Sequence, residues 1–193
     1  MKTHSIILYE PLYDLFGFNS DSKVEFTFSD AVKIAGHACP TVAGAYLMTY
    51  HGLKALYGDE TPVRGDIELL YSKSESEGVT GVIATVMGSI VGANGIGGFK
   101  GLGGQFARNN RIHFNQKINS NVAIRRIDTK KTVNIDYHPE VVSGDPRTSH
   151  LLSKILNDQA TDNDKVEFQR CWNQRLEKIL ALGSHESELI QIS

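Results

Sequence analysis

Only two cysteines, Cys39 and Cys171, stand in the 193-residue chain. Two thiols cannot build a disulfide framework or fill a four-cysteine zinc finger, and neither asks for an oxidising compartment. Long apolar runs are missing too. The N-terminal one, Ile6 to Tyr9, stops at Glu10 and Pro11. That is too short for a signal-peptide core, and no small-residue cleavage site follows. No stretch approaches the ~20 apolar residues of a membrane span. Charge of one sign is not in excess: the formal net charge is −2, so no global field recruits nucleic acid. The glycine-rich stretch Asn94 to Gly104 (NGIGGFKGLGG) lacks the Gly-Lys-Ser/Thr of a phosphate loop and the spacing of a dinucleotide fingerprint. Internal repeats and low-complexity tracts are absent. These absences point to a cytoplasmic globular protein without membrane or nucleic-acid partners.

What is present suits one core domain plus an appendage. Residues 1–22 read as an irregular lead with aromatic anchors at Tyr9, Tyr13, Phe16 and Phe18. Lys23 to Phe28 alternates polar and apolar residues, the period of a half-buried strand, with a linker as the alternative. Ser29 and Asp30 look like the start of a short helix that ends at Gly36, a natural left-handed C-cap. Proline favours the first helical position, so Cys39-Pro40 opens a second helix, closed by Gly58. Asp66 to Tyr71 reads as a strand and Glu77 to Val91 as a small-residue helix, with a strand the alternative that its glycines and β-branched residues leave open. Three further strands follow: Gln105 to Phe114, Asn121 to Asp128 and Thr132 to Tyr137. From Asp145 the pattern turns helical, with one helix to about Gln159 and another, carrying Val166, Phe168, Trp172, Leu176, Ile179 and Leu180, to Leu182. The expected fold is α+β. Residues 23–142 form a core of mixed or antiparallel sheet packed by helices, and residues 143–193 a helical C-terminal extension.

The chemically marked segment is Gly36-His37-Ala38-Cys39-Pro40. Cys39 falls at the N-cap of the second helix, where exposed N–H groups and the helix dipole favour negative charge and hence thiolate. Imidazole is the commonest protein metal ligand. Gly36 lets the backbone turn sharply enough to aim both side chains at one point. A blander reading makes Cys39 a small buried hydrophobe and His37 a polar capping group.

The stretch from Ser29 to about Glu140 resembles the FmdE-like family, named for a component of formylmethanofuran dehydrogenase. The residues that carry the likeness are Gly36, His37, Cys39 and Pro40, then Gly44 and Tyr46. The resemblance implies an α+β core, a homodimer and a metal-associated site at the His-Cys pair. It also implies further cysteines near the start of the small-residue helix and just after its closing glycine. There this chain has residues around Gly78, and Ser89. The cysteine-rich zinc finger that ends many such proteins is missing.

Other candidates are more scattered. His113, between Ile112 and Phe114, is a distant candidate ligand. His51, twelve residues after Cys39, lies ~18 Å away along a helix at 1.5 Å per residue; it cannot share an ion with Cys39 in the same chain, and reads as a partly exposed helix histidine. His138 before Pro139 reads as a turn residue; His4, His150 and His185 read as surface. In the glycine-rich loop, Gly98 and Phe99 could approach a flat cofactor, or Lys100 an anion, or the loop only connects. Arg108, Arg111, Arg125 and Arg126 with Lys130 and Lys131 read as a charged, solvated sheet edge. Asp66 and Glu68 share a solvated strand face. The function expected is binding of a transition metal, zinc first, or of a metal cofactor at Gly36, His37 and Cys39, with His113 as a further ligand and redox or one-carbon chemistry in view. Two alternatives stay open. One is a haem protein using the Cys-Pro/His segment. The other is a dimeric interaction module whose site is vestigial.

Overall fold

The computed structural model describes residues 5–183 and 188–193; His4 and His185 lie outside them. The lead forms a strand, β1 (Ile6–Tyr9), and a short helix, α1 (Pro11–Phe16). The Glu10 carboxylate caps α1 by accepting from Leu12 N at 3.0 Å. Strand β2 (Lys23–Phe26) pairs antiparallel with β1, Ile6 opposite Phe26. The expected irregular lead is therefore half of a hairpin-like sheet, and α1 is the insert that lets the chain return.

Next come α2 (Phe28–Ala35), α3 (Pro40–Tyr57), β3 (Ile67–Tyr71), α4 (Thr80–Val91), β4 (Ile112–His113), β5 (Val122–Arg126), β6 (Thr132–Tyr137), α5 (Arg147–Leu156), α6 (Asp162–Gly183) and β7 (Ile190–Ile192). Strands β3 to β7 form one sheet in the order β4-β3-β5-β6-β7. Among the described strands of this sheet, only β3 and β4 run parallel; the long passage through α4 and the glycine-rich loop supplies the crossover that a parallel pair needs. The other pairs are antiparallel. The fold is α+β, with helices packed on a mixed sheet.

Ile67, Leu69 and Tyr71 of β3, Val122 and Ile124 of β5, and Val133 and Ile135 of β6 are buried on the face that meets the helices. Helix α3 is central. Val42 to Thr49 are buried without a break, the pattern of a helix enclosed on all sides. It lies close on the sheet because Gly44 and Gly52 present no side chain there. A Cβ at Gly44 would sit 2.6 Å from Tyr137 Cδ1, and one at Gly52 2.6 Å from Ile124 Cδ1. Each large side chain buried in this layer, Leu47, Met48 and Leu56 among them, contributes ~1.5–3 kcal/mol by leaving water.

Several boundaries moved for physical reasons. Helix α2 begins two residues early because Thr27 caps it: Asp30 Oδ2 accepts from Thr27 N at 2.8 Å and from Thr27 Oγ1 at 2.7 Å. The expected strand from Gln105 to Phe114 shrinks to Ile112–His113, since Phe106, Asn110 and Asn115 take positive φ and break the extended run. The C-terminal segment holds the two expected helices, α5 and α6, and also β7, which pairs with β6 (Tyr137 opposite Ile190). Leu176, Ile179 and Leu180 of α6 join the same core as α3.

Candidate metal and ligand site

Gly36 ends α2 in the left-handed region, φ 79°, and its N–H donates to Val32 O at 2.8 Å. Among the described residues, no atom lies within 4 Å of where a Cβ would stand, so glycine is required for its backbone angle, not for space. The chain then turns through His37 and Ala38 into Cys39, the extended N-cap of α3. Val42 N donates to Cys39 Sγ at 3.4 Å, so the sulfur takes the part that serine or aspartate plays at other helix starts. Pro40 fills the first helical position, where no N–H is needed.

His37 is exposed, with Nδ1 3.1 Å from Ala35 O. A carbonyl only accepts, so this contact places the proton on Nδ1 and leaves the lone pair on Nε2. Metal-binding histidines are commonly oriented in this way by a backbone carbonyl. Cys39 is buried and belongs to the core cluster.

Long-range contacts fix the junction. Trp172 Nε1 of α6 donates to Ala38 O at 2.9 Å. Tyr137 OH donates to Pro40 O at 2.8 Å, and its ring lies over Gly44. Burial, reinforced by Cys39 and Glu140 and opposed by Arg175, holds the Tyr137 phenol well above its ordinary pKa, so it stays a neutral donor. Arg175 secures the next turn by donating to Val142 O at 2.9 Å and Pro139 O at 3.1 Å. None of these partners is near in sequence, and only Gly44, four residues after Pro40, hints locally that something bulky must approach.

Beside this junction is a cavity of about 330 Å³ between the starts of α3 and α4 and the ends of β3, β5 and β6. Pro40, Met48, Tyr71, Ile83 and Val122 give it an apolar floor, and Thr41, Lys73, Asn121 and Tyr137 give it polar groups. Its volume is at the lower end of the ~300–1,000 Å³ of small-molecule sites.

The other expected site residues fall elsewhere. His113 sits opposite Leu70, on the same face as Glu68, with Nε2 3.9 Å from Glu68 Oε1. That face points away from α3, so the sheet separates His113 from Cys39, and within one chain the two cannot share an ion. Among the described residues, no group of three or more His, Cys, Asp or Glu side chains is placed to hold a metal. Gly98 and Phe99 are inside the glycine-rich loop: Phe99 O accepts from Arg108 N at 2.7 Å and Asn109 N at 3.1 Å. Neither lines the cavity beside Pro40. The loop is tightly bonded, with Ile96, Phe99 and Leu102 exposed. His51 is buried, not partly exposed, and its Nε2 lies 2.6 Å from Gly183 O, tying α3 to the end of α6. His138 contacts Glu140 at 3.0 Å in its turn, and His150 is exposed on α5. The basic stretch is a solvated edge only at Lys130 and Lys131, which are exposed; its arginines are paired. Arg108 is buried against Glu10, Arg125 pairs with Glu68 at 2.8 Å, and Arg126 with Glu60 at 2.8 Å.

No family model matches the chain, and no curated protein matches it. No described helix is long and apolar enough to cross a membrane.

Proposed function

We propose that this chain binds a transition-metal ion, zinc first, through His37 Nε2 and the Cys39 thiolate, and that a second copy of the chain or a bound small molecule completes the coordination. The observation that carries the reading is the His37 Nδ1 contact with Ala35 O, 3.1 Å, which leaves Nε2 as the coordinating nitrogen. Cys39 stands at the N-cap of α3, where Val42 N donates to its Sγ at 3.4 Å, so the sulfur is held two residues from His37. The likeness of Gly36, His37, Cys39, Pro40, Gly44 and Tyr46 to the FmdE-like family supports the same pair. Two protein ligands do not close a tetrahedral site, and this is the reason for invoking a homodimer. Phe16 and Phe18, 70% and 72% exposed, offer apolar surface for one. The chemistry such an ion supplies is Lewis acidity at the junction of α2 and α3; of that junction Pro40 borders the neighbouring cavity, and His37 and Cys39 do not line it.

Elemental analysis and an absorbance spectrum of freshly purified protein test the reading. The expected result is stoichiometric metal without a Soret band, strongly reduced in Cys39→Ser and His37→Ala and unchanged in His150→Ala. Serine keeps the helix cap, so loss of metal in Cys39→Ser would not reflect loss of fold. A Soret band would move the assignment to haem. Full metal content in both site variants would make Cys39 merely a core residue, and wild-type protein with neither metal nor colour would make the site vestigial.

A further inference from the structure

A second cavity, of about 210 Å³, lies between the start of α1 and the root of the glycine-rich loop, lined in part by Arg64, Gly65, Asp66, Phe106, Arg108 and Arg111. Its arginines differ in how well they are satisfied. Arg64 is fully engaged: Nε donates to Ile90 O at 2.9 Å, Nη1 to Glu10 at 2.7 Å and Nη2 to Ser89 O at 2.7 Å. Arg108, only 5% exposed, donates from Nη2 to Glu10, and its Nη1 is buried without an acceptor among the described residues. Arg111 has Glu68 as its ion-pair partner at 3.8 Å, beyond hydrogen-bond reach, and its Nε is also buried without a described acceptor. Glu68 itself is occupied by Arg125 at 2.8 Å.

Two arginines that line one cavity thus each carry a buried guanidinium N–H that lacks an acceptor among the described residues. Buried polar groups in folded proteins are nearly always paired, and an exception calls for a cause, among them a water or an ion that completes the bonding. Charge decides between these. Arg64, Arg108, Arg111 and Arg125 face Glu10, Asp66 and Glu68, which leaves one positive charge in excess. A water would satisfy the donors but not that charge. Burial also lowers the Arg108 pKa from its ordinary value, and the Glu10 charge only opposes the shift. The slot is shaped for the guanidinium, because a Cβ at Gly65 or Gly92 would collide with Arg108.

We propose that this cavity is a binding site for a small oxyanion, a phosphate group or a carboxylate, held by Arg108 and Arg111. Planar guanidinium forks match both anions, and charge-assisted bonds to them are about twice as strong as neutral ones. The site is separate from His37 and Cys39 and does not depend on the metal reading.

The test is titration of the full chain with sodium phosphate and, separately, sodium succinate. Ionic strength is held constant with sodium chloride, and binding is followed by thermal denaturation and by the arginine Nε–Hε signals in nitrogen-15 NMR. A saturable rise in Tm with shifts of the Arg108 and Arg111 signals is expected. Arg111→Gln should weaken binding at least about tenfold, while Lys100→Gln, on the exposed loop, should leave it unchanged. Saturation by phosphate alone assigns a phosphate source, and by succinate alone a carboxylic acid. The proposal fails if neither anion gives a saturable effect, or if Arg111→Gln binds as wild type does. Should Arg111→Gln not fold, the wild-type arginine signals still decide: no movement at saturating anion overturns it.

Discussion

Replacing Gly44 with alanine separates two effects that act in opposite directions. Alanine favours the helix over glycine by ~1 kcal/mol, so on propensity alone the change stabilises. The new Cβ, however, would stand 2.6 Å from Tyr137 Cδ1 and 2.7 Å from Cζ. Those are atoms of a ring whose hydroxyl is tied to Pro40 O at 2.8 Å. The ring cannot retreat and keep that bond. Overpacking costs ~1–3 kcal/mol and the lost hydrogen bond ~1 kcal/mol. The net expectation is a loss of about 2 kcal/mol, or ~4–8 °C in Tm for a chain of this size. Gly52→Ala is the internal comparison. Its new Cβ meets Ile135 and Ile124 at their Cδ1 ends, which can rotate aside, so the propensity gain offsets the crowding and stability should stay within ~1 kcal/mol of wild type. Urea denaturation of both variants and of Gly44→Ala/Tyr137→Phe reads the difference, the double variant showing coupling through the ring. If Gly44→Ala were as stable as Gly52→Ala, the close seating of α3 on β6 would be wrong, and with it the placement of Cys39 and Pro40.

Trp172→Phe removes the Ala38 acceptor contact but keeps most of the apolar area. It should cost ~1 kcal/mol and loosen the His37–Cys39 turn, seen as faster hydrogen exchange there than in α4. Glu10→Gln leaves Arg64 and Arg108 without a buried counter-charge and should destabilise by about 3 kcal/mol, measurable as a large fall in Tm. The Asp30 carboxyl is held down to about 2, first by the Thr27 hydroxyl, then by the Thr27 N–H and Lys33. A depressed acid contributes stability above its unfolded value near 4 and loses it as pH falls through about 2. The stability gap between wild type and Asp30→Asn, ~1 kcal/mol at neutral pH, should therefore be level down to about pH 4 and close by about pH 2. Thermal melts across that range check it.

Local rules in the sequence determined much of this protein. Gly36 after Ala35 ends one helix because the left-handed angle there needs glycine. Cys39-Pro40 starts the next because proline needs no N–H at the first position. The apolar runs of β3 and β6 needed no partner to be read as strands. The same rules explain why the marked segment stands at a helix start. Tertiary structure alone decided which side chains meet. Whether His113 could reach Cys39 depended on which face of β3 carries Glu68, and strand register fixes that only once the pairing exists. Arg108 looked like surface charge because nothing near it in sequence is acidic; its partner, Glu10, is 98 residues away. Strand β7 is three residues long, too short to show a period, and is extended because β6 offers it an open edge. Short-range preferences are written in neighbouring residues, whereas burial and pairing are properties of the packed chain, and the candidate sites lie where distant segments converge.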